Sequence, residues 1–179
     1  MGVLADILVA NESEAETIGS LTYPLGDGRW KGIDAKGFDI TQMGELLGVL
    51  TSEPYQSDEV NDFVTLYDGN EAGPWVYKVP DQLTDRLAEL PDARLEEVAR
   101  AWVAHESFPG RWWIELEHRK PKGSFLARLF GRGGSATVEE KPPDFTPLLE
   151  GAKQILEELH SLARDAKEQN KHLLMWCCT

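Results

Sequence analysis

The sequence predicts an α+β fold: one domain with a mainly antiparallel sheet covered by about four helices. Three observations carry that prediction. Residues 62 to 79 read as a β-hairpin, residues 147 to 168 read as one long amphipathic helix, and short apolar segments near both ends of the chain read as further strands.

Taken in order, Val3, Ala5, Ile7 and Val9 alternate with Leu4, Asp6 and Leu8, the period-two pattern of a buried strand. Asn11 is placed to cap a short acidic helical stretch, where Glu12, Glu14 and Glu16 meet the positive end of the helix dipole. Residues 20 to 38 contain Gly26, Gly28, Gly32 and Gly37 and read mostly as loop, with a short edge strand over 29–34. Asp39 and Gln42 have capping-box spacing, and Ile40, Met43, Leu46, Leu47 and Leu50 then recur at helical intervals until Pro54.

The hairpin comes next. Residues 63–67 and 75–79 are β-branched and aromatic, and residues 68–73 between them carry turn chemistry. Leu83, Leu87 and Leu90 line the next helix, which Pro91 stops. Asp92 is expected to cap a further helix with Leu95, Val98, Ala99 and Trp102 on its apolar side. Pro147 suits the first turn of the last helix, where Leu148, Ala152, Ile155, Leu159, Leu162 and Ala166 form the stripe. Residues 172–177 read as a closing strand.

Composition narrows the function. The 179 residues hold 18 Lys and Arg against 31 Asp and Glu, a net charge of −13. Such a chain is a poor general ligand for nucleic acid, which needs a basic face to release counterions. No apolar run reaches the length of a membrane span. The start lacks the basic, then apolar, pattern of a secretory signal, and Cys177 and Cys178 are adjacent, so they cannot staple distant segments. These features predict a cytoplasmic protein.

No catalytic signature is present. The chain has no Gly-x-Ser-x-Gly elbow, no phosphate-cradling glycine loop ending in Gly-Lys-Ser, and no pair of histidines four residues apart. His105, His118, His160 and His172 read as surface or boundary residues, and no metal or cofactor is expected.

The charge is unevenly spread. Residues 1–100 hold 7 basic and 20 acidic groups, whereas 111–138 hold 6 basic and 2 acidic ones. The second stretch lies within a basic, Gly/Pro-rich insertion at about 107–143. Aromatic and Arg side chains together are typical interface anchors. The candidate partner-binding residues are therefore Asp58, Glu59 and Asp62 on the acidic side, and Trp112, Arg119, Lys120, Lys122 and Arg128 in the insertion.

The segments 5–10, 30–34 and 174–177 together resemble a family of small acidic bacterial proteins with no assigned function. That resemblance implies a bacterial cytoplasmic protein and carries over no catalytic residue. The expectation is a non-catalytic module, monomeric or homodimeric, that binds a basic partner protein, for instance an immunity-type protein. The alternative is an enzyme or small-ligand binder whose site forms only in three dimensions.

Overall fold

A computed structural model describes residues 4–53, 62–69, 73–105, 108 and 145–178. Its centre is a five-stranded antiparallel sheet: β1 (Leu4–Ala10), β2 (Gly32–Asp34), β3 (Val64–Asp68), β4 (Trp75–Lys78) and β5 (His172–Cys178). The strand order is β2-β1-β5-β4-β3. The closing strand thus lies in the middle. β5 pairs with β1 along its whole length, from Leu4 opposite Cys178 to Ala10 opposite His172, and with β4 on its other side. It joins the N-terminal pair of strands to the hairpin.

Alternation along the strands sends neighbouring side chains to opposite faces. Ala5, Ile7, Val9, Leu173, Met175 and Cys177 face a thick layer built from α3 (Ile40–Thr51), α4 (Asp81–Ala88), α5 (Leu95–Val103) and α6 (Thr146–Glu168). Leu8, Ala10, Val76, Leu174 and Trp176 face a thin layer formed by α1 (Ala15–Gly19), α2 (Pro24–Asp27) and Trp30. Four longer helices therefore cover one face, and two short ones lie on the other.

Local chemistry explains the helix ends. The Asp39 carboxylate accepts from the Thr41 N–H at 2.7 Å, and Gln42 Oε1 accepts from the Asp39 N–H at 2.8 Å, closing the capping box of α3. At the first bend, the Asn11 N–H donates to Glu14 Oε2 at 2.8 Å. Asp92 is not the cap anticipated for α5. It opens a 3₁₀ turn, Asp92–Arg94, that runs directly into the helix, and Arg94 occupies the cap position.

The thick layer packs around Trp102, which is fully buried, and Phe38 and Phe108 each lie 5.2 Å from it between ring centroids. Trp102 Nε1 donates to the Gln42 carbonyl at 3.0 Å, so its one polar atom is satisfied. Phe108 falls within the range expected to be an insertion, yet it belongs to this core. The rest of 107–143 lies outside the described residues, as do Asp58, Glu59, Trp112, Arg119, Lys120, Lys122 and Arg128.

Two further features shape the sheet's edge and one of its ends. The ladder between β3 and β4 shifts register between Thr65 and Tyr67, so both Leu66 and Tyr67 pack on the thin face. Around one end of the sheet, Lys78 Nζ lies 3.0 Å from Glu12 and 3.1 Å from Asp81, while His172 lies 3.5 and 3.4 Å from the same two carboxylates. That network ties the thin layer to α4.

Candidate acidic groove

α5 and α6 pack side by side, and an open groove of about 540 Å³ runs between the start of one and the middle of the other. The 3₁₀ turn and α5 contribute Asp92, Ala93, Leu95 and Glu96, and α6 contributes Lys153, Glu157 and His160. The α6 residues are spaced four and three apart, so they share one helix face. Leu95 and His160, both 7% exposed, are its buried members, and Asp92, Glu96 and Glu157 are exposed carboxylates around them.

The local cations leave the carboxylates largely available. Glu157 has Lys153 Nζ at 4.0 Å, and Glu96 has Arg100 at 3.1 Å. Both are exposed pairs at i,i+4, a geometry contributing only about 0.3–0.5 kcal/mol. Among the described residues, three carboxylates and one lysine line the space, which makes it a place for positive charge.

His160 adds a specific feature. Its Nδ1 lies 3.8 Å from Asp92 Oδ1, and its Nε2 is buried with no hydrogen-bond partner. A neutral imidazole with its proton on Nδ1, toward Asp92, leaves Nε2 as a bare acceptor. A buried acceptor without a donor costs about 1–3 kcal/mol, which a bound N–H recovers.

The His160–Asp92 pair is half of a nucleophile-activating arrangement. Among the described residues the other half is missing, because no Ser, Thr or Cys of them lines the groove. Among the described residues, no group of three or more His, Cys, Asp and Glu side chains is arranged to hold a metal ion. Nor is Cys177 a reactive thiol: burial pushes it up to about 12, with Asp39 and Cys178 adding to the rise.

Of the residues named from sequence, only Asp62 is described; it is exposed immediately ahead of β3, and it is not in the groove. His160, expected at the surface or a boundary, is buried instead. Glu157 and Lys153 carry no signal beyond the polar flank of an amphipathic helix, and nothing in the linear sequence links them to Asp92. No protein-family model matches the chain, and no curated protein or solved structure matches it.

Proposed function

We propose that this protein is a non-catalytic binding module that receives a cationic side chain of a basic partner protein in the groove between α5 and α6. The carrying observation is that His160, whose buried Nε2 has no partner, lines the groove together with three carboxylates. A guanidinium or ammonium supplies both what the carboxylates attract and the donor that His160 lacks. An immunity-type role in a bacterial cytoplasm, as monomer or homodimer, fits this reading. Such a module neutralises a basic toxin or nuclease by occupying its cationic surface, and the net charge of −13 steers the encounter.

Nona-arginine tests the groove directly by titration calorimetry at low and physiological salt. Glu96→Gln with Glu157→Gln should weaken binding by about tenfold or more, two rim contacts together being worth roughly 1.4 kcal/mol. Asp27→Asn with Asp34→Asn removes the same charge away from the groove and should change affinity less than about twofold, as screened distant charges do. Equal losses in the two variants would mean that net charge alone binds the peptide, and the groove would not be the site.

A further inference from the structure

On the thin face, residues 19–22 meet the sheet beside β3, β4 and β5 and border an open cavity of about 390 Å³. Tyr67, Pro74, Trp176 and Cys178 form its walls, and Ser20 and Thr22 lie at its border. We propose that this cavity binds a small, neutral, flat aromatic or heteroaromatic molecule that carries a hydrogen-bond acceptor, with Trp176 Nε1–H as the donor. The proposal goes beyond the cation-binding reading of the groove and does not depend on it.

Three observations converge on it. The first is an unsatisfied donor. Trp176 is 2% exposed, and its Nε1 has no hydrogen-bond partner. Among the described residues the other buried indoles are satisfied: Trp102 donates to the Gln42 carbonyl at 3.0 Å, and Trp30 donates to Glu14 Oε1 at 2.9 Å. Buried polar groups are nearly always paired. Of the three orphaned atoms among the described residues, on Glu45, His160 and Trp176, only that of Trp176 belongs to a residue lining this cavity, which points to a missing acceptor.

The second observation is the chemistry of the lining. Among the described residues, no charged side chain contributes to it. An ion would lose its hydration there without gaining a counter-charge, so the occupant is neutral. The two aromatic walls and Pro74 favour a flat ring, and the volume falls within the roughly 300–1,000 Å³ of small-molecule sites.

The third is how the chain builds the wall. The register shift after Thr65 brings Tyr67 to this face. α1 then closes against the ring only because residue 19 is glycine: a Cβ there would lie 2.2 Å from Tyr67 Cδ1. Backbone and sequence both yield to the placement of one aromatic side chain.

Quinoline and naphthalene make a matched pair of probes, since they share a shape and only quinoline has an acceptor nitrogen. The six tryptophans give six indole N–H signals in a ¹⁵N-labelled sample, and Trp176→Phe assigns one of them. Quinoline should bind saturably at pH 7.5, move the Trp176 signal downfield, and bind about fivefold or more tightly than naphthalene, the worth of one neutral hydrogen bond. Trp176→Phe should bring quinoline to within about twofold of naphthalene, with that bond gone. Thr22→Phe alters an exposed border residue, so it keeps the test open should Trp176→Phe not fold. It should weaken both probes by about tenfold through loss of space. Equal affinities with an unmoved Trp176 signal, no saturable shift from either probe, or unchanged binding in Thr22→Phe would each overturn the proposal.

Discussion

The groove between α5 and α6 and the cavity on the thin face share one defect and differ in everything around it. Each has a buried ring nitrogen without a partner, His160 Nε2 in the groove and Trp176 Nε1 at the cavity. In the groove a ring nitrogen that carries no proton accepts, and the described side chains around it are mainly carboxylates. At the cavity the nitrogen only donates, and the described side chains around it carry no charge. The same defect therefore selects opposite ligands, a cationic donor in one place and a neutral acceptor in the other. Neither site can be assigned from its orphan atom alone; the charge of the lining decides.

The largest effect should come from breaking what both regions rest on. Leu159 is fully buried on α6 in the thick layer, one residue before His160. Leu159→Asp places an unpaired charge in that core and should cost roughly 4 kcal/mol or more. The groove and the cavity should then lose their probes together, checked by melting and by both titrations. Retention of either site at an unchanged melting temperature would show that α6 does not hold the layers in place.

A smaller effect sharpens the contrast on the thin face. Asp6 is 2% exposed and lies opposite Trp176 in the ladder between β1 and β5. Burial raises its carboxyl above the ordinary 3.8, the Leu25 N–H at 3.0 Å pulls the other way, and Asp34 adds to the rise. The folded state thus holds this proton more tightly than the unfolded chain does. Stability attributable to Asp6 is fully present below about pH 4 and is lost as pH rises through the folded value. Asp6→Asn should then stabilise the protein at pH 7 by roughly 1 kcal/mol, about 2–4 °C in melting temperature. The gain should disappear near pH 3.5, where the wild-type carboxyl is already protonated. Destabilisation at pH 7 instead would mean that the bond from Leu25 outweighs the burial of charge.

The elements of this fold are legible in the sequence because each depends on local pattern. Alternation marks β1, a short apolar run marks β5, Asp39 with Gln42 marks the start of α3, and the aromatic runs mark the hairpin. The arrangement is less legible. A short apolar run identifies residues 172–177 as a strand without naming its neighbours, so its central position emerges only from the paired register.

The buried face of α6 shows a second limit. A stripe stepped by fours and threes from Leu148 drifts around a helix of 3.6 residues per turn. Over 23 residues that drift leaves Leu148 and Ile155 only half-buried and brings in Leu156, His160 and Ala163. The burial of His160 is a consequence of this drift. The candidate sites are hidden from the sequence for a different reason. Asp92 and Glu96 are about sixty residues from Lys153, Glu157 and His160, and Tyr67 reaches its wall through a register shift that no glycine or proline announces.

The most direct test tracks both ring nitrogens in one ¹⁵N-labelled sample, recording the His160 imidazole and the Trp176 indole while nona-arginine and then quinoline are added. Opposite linings predict that each probe moves only its own reporter: nona-arginine the His160 Nε2 signal, and quinoline the Trp176 Nε1 signal, each saturating independently of the other. A probe that moves both signals equally, or leaves both unmoved at saturating concentration, would contradict the assignment of two separate sites chosen by the charge of their walls.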